Sequence, residues 1–309
     1  MPTGGLMRIL IVVNLRSGQG DAGLYDFVRI LGIGGHELTL RFLGPDADLP
    51  AMLADVADFD RVVAVGGDGT VSAVCYQCVG SGVPILPYPA GTANLFALNM
   101  RLPSDPLELA RLTVDGHAAD IDVGEITYGA GRRGGFVVAA GAGFDAAIMQ
   151  AADRLKPSLG IAAYVVGALQ NLTPTVARFK LTVDGIALES EGIAALVMNV
   201  SRMQFDLAIT RASDPSDGLF EVVIVRTRNV PGLIPTVWGA FLDRFVQKSG
   251  DSVGLEVHTG REIVVESDPP LALQYDGETL AATTPLAARV LPRACRVIVS
   301  EEYERAADV

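Results

Sequence analysis

The sequence predicts an α/β domain built on a parallel sheet, followed by a C-terminal antiparallel β-sandwich whose last strand returns to the first domain. Apolar runs alternate with helix-like stretches up to about residue 117, whereas short β-rich runs dominate from residue 118. The late run 296–300 is apolar enough to join the first sheet. Because 309 residues exceed one typical domain, two are expected, comprising 7–117 with 295–309 and 118–294.

The first domain alternates predicted strands and helices. The strands are expected at 9–13, 37–42, 61–65 and 83–87, and the helices at 24–31, 49–57, 71–79 and 93–100. Because glycine turns repeatedly connect a strand to a helix, the strands should lie parallel with helices on both faces. Ligands of such sheets bind at the carboxyl ends of the strands.

The second domain is predicted to be rich in strands. Short β-rich runs occur at 135–140, 179–183, 194–200, 219–225, 262–266 and 287–291. Helices are expected near 144–155, 160–169 and 230–246. Strands of this length at short spacing are typical of an antiparallel sandwich.

The charge of the chain excludes one class of partner. A formal net charge of −12 argues against nucleic acid, because phosphate backbones select basic surfaces. It also opposes docking of the whole molecule on an anionic membrane. Local basic pairs such as Arg132 with Arg133 remain available to lipid headgroups, so a peripheral membrane contact stays open.

The compartment is predicted from what the sequence lacks. No stretch of about 18 uncharged apolar residues suggests a membrane-spanning helix. The opening residues lack the basic start and the long apolar core of a secretion signal. Cys75, Cys78 and Cys295 are interpreted as reduced core residues. A cytoplasmic location is therefore expected, with transient membrane association left open.

The strongest local motif follows the third predicted strand and opens a helix: Val65-Gly66-Gly67-Asp68-Gly69-Thr70. Its glycines let the backbone bring several N–H groups to an anion, and the helix N-terminus adds partial positive charge. Asp68 is a poor neighbour for phosphate, so it should hold a cation or fix the loop. The Lys–Ser/Thr pair of the usual P-loop is missing, and a ligand-free glycine turn is the alternative.

Two further polar glycine turns follow strands of the same predicted sheet. One is Pro89-Ala90-Gly91-Thr92-Ala93-Asn94, and the other is Asn14-Leu15-Arg16-Ser17-Gly18-Gln19-Gly20. Thr70 and Thr92, taken singly, are also suited to capping helices. Three such turns at one sheet edge favour a shared binding site over three independent loops.

These motifs resemble those of the diacylglycerol kinase catalytic-domain family, which includes bacterial lipid kinases and sphingosine kinases. The similarity covers nearly the whole chain. It continues through Asp122-Val123-Gly124, Gly141-Ala142-Gly143-Phe144-Asp145, Asp217-Gly218-Leu219 and Asp276-Gly277-Glu278. NAD kinases and phosphofructokinases share the double-glycine motif, whereas its combination with Gly-Thr-Ala-Asn and Asp-Gly-Glu is specific.

The resemblance implies that the first three turns bind ATP, in a cleft between a nucleotide lobe and a β-sandwich lobe that takes the lipid. The implied nucleotide contacts are Asn14, Leu15, Arg16, Ser17, Gly18, Gly66, Gly67, Asp68, Gly69, Thr70, Val71, Ser72, Ala73, Thr92 and Asn94. A further family contact falls on Arg41, which either pairs with a phosphate or is an ordinary surface arginine.

The resemblance also implies the catalytic and metal residues. Glu278 is expected to be the general base that accepts the proton of the lipid hydroxyl, with Asp276 beside it in the catalytic motif. Asp-Gly is also a favoured hairpin turn, so a purely structural turn is the alternative. A magnesium loop is implied at Asp214, Asp217 and the Leu219 carbonyl, either structural or catalytic.

Two more residues are implied to line the substrate site. Asp122 matches an acidic position of the family's cleft, and Lys156 matches a basic position associated with lipid or phosphate. Either is otherwise a solvated side chain at the end of an element. The chain departs from the family at Ala73 and Leu95, where acidic residues are usual, which weakens the expected magnesium network.

The sequence thus predicts Mg²⁺-dependent transfer of the γ-phosphoryl group of ATP to a lipid hydroxyl. The alternatives are a catalytically weak nucleotide-binding regulatory homologue, or a kinase of a soluble substrate such as NAD. The identity of the lipid stays open. So does a homodimer, which occurs within the family.

Overall fold

The structure is a computed structural model that describes residues 5–17, 22–143, 175–200, 214–226 and 255–307. Internal contacts divide the chain into two compact units: the N-terminal unit, Met1–Val123 with Leu291–Val309, and the sandwich unit, Gly124–Val290. The helices predicted at 144–155, 160–169 and 230–246 lie outside the described residues. The assignment of ATP to one unit and lipid to the other stays a prediction.

The strands of the described ranges are numbered in chain order. They are β1 Arg8–Asn14, β2 Glu37–Leu43, β3 Arg61–Gly66, β4 Ile85–Pro89, β5 Ala118–Tyr128, β6 Arg132–Phe136, β7 Ala139–Gly143, β8 Ala177–Val183, β9 Ile186–Gly192, β10 Ala194–Met198, β11 Phe220–Val225, β12 Leu255–Gly260, β13 Glu262–Asp268, β14 Ala272–Tyr275, β15 Glu278–Thr283 and β16 Leu286–Ile298.

The helices of the same ranges are α1 Ala22–Ile33, α2 Leu49–Met52, α3 Asp68–Gln77, α4 Leu95–Asn99, α5 Pro106–Asp115 and α6 Glu301–Ala307, with a 3₁₀ turn at Val56–Asp58. Among these described helices, none has the length and apolar character needed to cross a bilayer.

The N-terminal unit is built on a parallel sheet with the strand order β2-β1-β3-β4. The end of β16 extends this sheet, since Val297 pairs in parallel with Ile85. Residues 9–12 of β1 are fully buried. Their continuous apolar sequence is typical of a strand covered on both faces. The predicted α/β fold and the return of the last strand are confirmed.

One hydrophobic core of this unit lies between the sheet and the helices α1 and α5. Apolar side chains of β1 and β3 pack there against Phe27 and Leu31 of α1 and Leu109 of α5. The Phe27 ring meets Tyr88 of β4 edge to face, with ring centroids 5.0 Å apart. This packing holds the strands from which the glycine turns begin.

The helix predicted at 49–57 differs from the structure. It is observed as α2 followed by the 3₁₀ turn. The carbonyl of Met52, the last residue of α2, accepts a hydrogen bond from the Arg41 guanidinium. A side chain of the neighbouring strand thus satisfies the helix C-terminus and the chain turns away.

Other helices, including α4 and α5, also differ from the prediction. α4 begins later than expected because Asn94 has a φ of 51°, which no right-handed helix contains. α5 is absent from the sequence prediction, although its start carries a recognisable signal. Asp105 accepts the N–H of Glu108 at 3.0 Å, and Pro106 occupies the first turn.

The sandwich unit contains two antiparallel sheets. One has the order β12-β11-β10-β7-β14-β15, and the other contains β16, β13, β8 and β9. β5 forms a hairpin with β6. Side chains from both sheets share one core, in which the rings of Phe136 and Phe220 lie 5.2 Å apart. The predicted antiparallel sandwich is confirmed.

Two strand predictions in this part of the chain need correction. The run 135–140 is not one strand, because β6 pairs with β5 whereas β7 pairs with β10 and β14, so the chain changes sheets at 137–138. The predicted runs 287–291 and 296–300 belong largely to a single strand of 13 residues, β16. The residues between the two runs are more polar and less buried, so a prediction from apolar runs alone divides this one strand into two.

Candidate active site

Two glycine turns touch each other in the N-terminal unit, after β3 and β4. The carbonyl of Gly66, the last residue of β3, accepts the N–H of Ala90 at 3.1 Å. A Cβ placed on Gly91 would lie 2.4 Å from the Cα of Gly67. Only glycine permits this approach of two backbones. The structure therefore brings the motif at 65–70 and the motif at 89–94 together.

The turn after β1 joins them through side chains. Asn14 Nδ2 donates a hydrogen bond to Thr70 Oγ1 at 2.7 Å. Asn14 Oδ1 accepts the N–H of Arg16 at 3.0 Å, and the Asn14 carbonyl accepts the N–H of Ser17 at 3.0 Å. Leu15 is 65% exposed at the tip. All three predicted turns thus contact one another, although Gly18 lies outside the described residues.

Asp68 fixes the loop. Its carboxylate accepts the N–H groups of Leu95 at 3.1 Å and Phe96 at 2.8 Å, at the N-terminus of α4. Burial raises the pKa of Asp68, and the backbone N–H groups oppose that effect. Leu95, which replaces a family carboxylate, contributes its N–H to this contact. Of the two sequence interpretations of Asp68, the geometry favours loop fixing over cation binding.

The side chain of Asn94 makes hydrogen bonds within its own turn, the one after β4. Its Oδ1 accepts the N–H of Gly91 at 2.8 Å, and its Nδ2 donates to the Gly91 carbonyl at 3.0 Å. Asparagine tolerates the left-handed φ of 51° found here. Thr92 is exposed between them. The Asn94 side chain therefore shapes the turn, and Thr92 is the side chain it presents.

The start of α3 offers backbone groups to an anion. The N–H groups of Thr70 and Val71 donate to the Gly67 carbonyl at 3.0 and 3.1 Å. Val71 is 4% exposed and Ser72 fully buried, so both side chains belong to the core. Any contact of Val71 or Ser72 with a nucleotide would therefore be made by backbone atoms, and it stays a prediction. An anion at this turn would meet the N–H groups of 67–69 at the helix N-terminus, and such binding stays a prediction.

Arg41 is already paired. Its guanidinium makes two hydrogen bonds of 2.6 Å to the Asp55 carboxylate and lies 5.5 Å from the centre of the Phe59 ring. The hydrogen bonds to Asp55 raise the pKa of Arg41. Its partners give Arg41 a structural role at the protein surface. These contacts favour the alternative of an ordinary surface arginine, and a phosphate contact of Arg41 stays a prediction.

In the sandwich unit, Asp276 and Gly277 form the two-residue turn between β14 and β15. Their φ values of 42° and 84° match the type I′ turn that Asp-Gly favours. Tyr275 and Glu278 pair across the turn. Glu278 is exposed, whereas Asp276 is only 8% exposed. The late motif is a hairpin that presents its glutamate to solvent.

The Asp276 carboxylate anchors this hairpin. It accepts the N–H groups of Val137 at 2.8 Å, Val138 at 3.1 Å and Ala139 at 2.7 Å. Asn199, the residue after β10, holds the same segment by donating its Nδ2 to the Val137 carbonyl at 3.1 Å. A carboxylate occupied by three backbone donors is poorly placed to exchange a proton with a substrate. The contacts of Asp276 favour an anchoring role, and its predicted catalytic role stays a prediction.

A second Asp-Gly hairpin supplies a matched comparison. Asp184 and Gly185 connect β8 to β9 with φ values of 48° and 81°. The Asp184 carboxylate accepts the N–H groups of Arg261 at 2.9 Å and Glu262 at 2.8 Å. The residue after this turn is Ile186. The two hairpins share their geometry and anchoring, but only one is followed by a glutamate.

We expect Asp276→Asn to lower kcat by about 10- to 100-fold, because a displaced hairpin misplaces Glu278. The amide NH₂ would face backbone donors, which costs about 1–3 kcal/mol of stability. Asp184→Asn should leave kcat close to wild type, because no glutamate follows its turn. Steady-state kinetics and thermal unfolding of both variants check this. If both variants change kcat equally, Asp276 does not act by positioning Glu278.

Tyr275 is a neighbour of Glu278 that the sequence does not single out. Burial raises the pKa of Tyr275, and Tyr128, Asp276 and Glu278 raise it further. Its ring lies over Gly134, where a Cβ would come within 3.4 Å of the Tyr275 Cζ and Oη. The phenol therefore stays protonated at neutral pH beside the predicted base. Its position before the Asp-Gly-Glu motif is the only signal in the sequence.

The predicted metal loop precedes β11. Asp214 Oδ1 accepts the N–H and the hydroxyl of Ser216 at 2.9 and 2.6 Å, and Asp217 Oδ1 accepts the N–H of Leu219 at 2.8 Å. Burial raises the pKa of Asp217, and the neighbouring Asp214 raises it further. A cation would relieve that repulsion. Two carboxylates and a carbonyl fit Mg²⁺ that keeps several waters.

This loop is not a dense cluster of metal ligands. Among the described residues, no group of three or more His, Cys, Asp or Glu side chains is arranged to hold a metal. Any magnesium here would therefore depend on the two carboxylates, the Leu219 carbonyl and water. The predicted ligand set is compatible with the loop but is not tested by it.

The two predicted substrate residues have different outcomes. Asp122 is fully buried in β5, and its Oδ1 accepts the N–H of Arg293 at 2.7 Å. The interpretation of Asp122 as a solvated side chain is therefore wrong. Lys156 lies outside the described residues. A substrate role for either residue stays a prediction.

Comparisons with known proteins define the class. The sequence model of the diacylglycerol kinase catalytic domain matches residues 8–126. The model of the YegS C-terminal NAD kinase beta sandwich-like domain matches residues 137–299, more than half of the chain. The chain is therefore a two-domain member of the kinase group that these models describe. More specifically, it belongs to the diacylglycerol kinase and YegS-like lipid kinase family.

Individual relatives are similar to this chain over most of its length. A probable lipid kinase YegS-like of Xanthomonas oryzae is 30% identical, over 87% of this chain and 88% of that protein. A diacylglycerol kinase of Mycobacterium tuberculosis is 29% identical, over 77% and 76%. An uncharacterized Synechocystis protein is 25% identical, and this chain spans only 55% of its length.

The fold has solved counterparts. The crystal structure of a diacylglycerol kinase of Bacillus anthracis superposes with a TM-score of 0.75, over 96% of this chain and 98% of that one, at 20% identity. At this identity the likeness establishes the fold alone. It is the fold that the sequence motifs predict.

Proposed function

We propose that the protein transfers the γ-phosphoryl group of ATP to a hydroxyl group of a lipid. The observation that carries the proposal is the joining of three glycine turns into one site, with Gly67 and Gly91 in backbone contact. Such a site binds phosphates through N–H groups and a helix N-terminus. Membership of a lipid kinase family supports a lipid as the acceptor.

Glu278 is proposed as the general base. A positioned carboxylate suits this task, because phosphoryl transfer depends on orienting the nucleophile and neutralising charge. The exposed position of Glu278 at the start of β15 leaves it accessible to an alcohol. Asp276 and Asn199 both make hydrogen bonds to Val137, in the segment between β6 and β7 that supports the hairpin. In this scheme Glu278 accepts the hydroxyl proton, and Asp276 keeps Glu278 in position.

Magnesium is proposed as the accompanying cation. When bound it would neutralise phosphate charge or order the sandwich unit. Asp214 and Asp217 are the side chains that would hold it, with the Leu219 carbonyl. Asp68 is not counted as a ligand, because its carboxylate accepts two backbone N–H groups.

A screen of pooled lipids with Mg²⁺-ATP tests the proposal. The pool should contain diacylglycerol, monoacylglycerol, sphingoid bases and phosphatidylglycerol, with NAD in a parallel reaction. Mass spectrometry is expected to find one lipid class heavier by one phosphate. Phosphorylated NAD without phosphorylated lipid would establish the soluble-substrate alternative. ATP binding without any product would establish the regulatory alternative.

A further inference from the structure

The tip of the β5–β6 hairpin is exposed and basic. Residues 129–133 are all exposed and include Arg132 and Arg133. The residues opposite these arginines on β5 are Tyr128 and Thr127, neither of which has a carboxylate side chain. In the part of the chain that the structure describes, neither arginine has an acidic partner. We call this segment, 129–133, the basic tip.

Another basic pair of the sandwich unit is compensated. Arg178 and Lys180 are also exposed, on β8. Arg178 lies opposite Glu191 on β9 and Asp268 on β13, and Lys180 lies opposite Glu189 and Glu266. Their cross-strand neighbours on both sides are therefore acidic. The basic tip differs because its positive charge is not balanced across the ladder.

The basic tip lies beside the hairpin that carries Glu278. The Arg132 guanidinium lies 4.9 Å from the centre of the Tyr128 ring, and its Nη2 donates to the Ala281 carbonyl at 3.2 Å. Ala281 belongs to β15, the strand that Glu278 begins. Tyr275 contacts Gly134 of β6 from the same hairpin. These contacts fix the orientation of Arg132 relative to β15.

We propose that the basic tip docks the protein on a bilayer of anionic phospholipid. The proposal rests on the proposed function, since a bilayer would bring the acceptor hydroxyl to the part of the sandwich unit that exposes Glu278. Arginine suits this contact because its planar guanidinium pairs with two phosphate oxygens at once. The Arg132 guanidinium stacks on the ring of Tyr128, and tyrosine is a residue type enriched at membrane interfaces.

The acidic composition of the chain does not prevent this contact. Charges separated by more than about 8 Å are largely screened at physiological ionic strength, so the bilayer responds to the nearest groups. Each arginine close to an anionic surface strengthens binding by about fivefold, and two by about thirtyfold. The −12 net charge instead favours a single local point of contact over a broad one.

The test measures vesicle binding without nucleotide. Flotation uses vesicles of phosphatidylglycerol mixed equally with phosphatidylcholine, and vesicles of phosphatidylcholine alone. Wild type should bind only the anionic vesicles and release at high salt. The R132Q/R133Q variant should lose about thirtyfold in partitioning. The R178Q/K180Q variant, which makes the same change in net charge, should bind like wild type.

Three outcomes would overturn the proposal: wild type ignoring the anionic vesicles, R132Q/R133Q binding them fully, or R178Q/K180Q losing as much. Thermal unfolding of each variant ensures that only folded protein is compared. Because no ATP is present, the result is independent of turnover. If the protein binds anionic vesicles but phosphorylates no lipid, the docking proposal stands and the proposed function is wrong.

Discussion

Glu278→Gln is expected to lower kcat by about 10²- to 10⁴-fold, the range that general-base catalysis usually contributes. Glutamine keeps the size of the side chain but cannot accept the hydroxyl proton. Glu278 is exposed at the first position of β15, so its replacement should leave thermal stability unchanged. Binding of ATP should also persist, because the nucleotide turns belong to other elements. Steady-state kinetics and calorimetric titration with an ATP analogue check both expectations.

Glu262→Gln is the matched control for this experiment. Glu262 is likewise an exposed glutamate at the first position of a strand in the sandwich unit, β13. Its replacement makes the same change in charge and should leave kcat near the wild-type value. If Glu278→Gln keeps full activity on every lipid that wild type phosphorylates, another group accepts the proton and the mechanism is wrong.

Gly91→Ala is expected to weaken ATP binding by about 5- to 150-fold. The added Cβ would lie 2.4 Å from the Gly67 Cα and 2.9 Å from Asn94 Oδ1, so backbone must move. Overpacking of this kind costs about 1–3 kcal/mol, which corresponds to that loss if it falls on the bound state. Titration with a non-hydrolysable ATP analogue measures the change on folded protein.

The control for this change is Gly44→Ala, in the loop after β2. A Cβ on Gly44 would meet no atom within 4 Å, so the methyl group should be tolerated. Affinity for the analogue should then match wild type. Should Gly91→Ala bind the analogue as tightly as Gly44→Ala does, the contact between the two turns would not be part of the nucleotide site.

The parallel sheet and its turns are predictable from sequence because their signals are local. Continuous apolar runs are typical of strands buried on both faces, and glycine turns at their ends form sites in such sheets. The three turns contact one another, as the shared-site hypothesis requires, and nucleotide binding there stays a prediction. The direct contact between Gly67 and Gly91 is not predictable, because it joins residues of separate turns through tertiary packing.

The individual side chains are harder to predict, because their partners are distant in sequence. Asp68 is a metal candidate until Leu95 and Phe96 are seen to donate to it. Asp276 is a catalytic candidate until its carboxylate is seen to accept N–H groups some 137–139 positions earlier in the chain. Acidic residues within motifs therefore divide into chemical and architectural roles that spacing alone does not separate.

The most direct test of the central claim follows the γ-phosphoryl group itself. Wild-type protein is incubated with γ-labelled ATP, Mg²⁺ and the lipid class found in the screen, and the products are separated by organic extraction. Label lost from ATP is expected to appear in equal amount in the lipid phase, with little transfer by Glu278→Gln. Label recovered only as inorganic phosphate or in a water-soluble product would contradict the assignment as a lipid kinase.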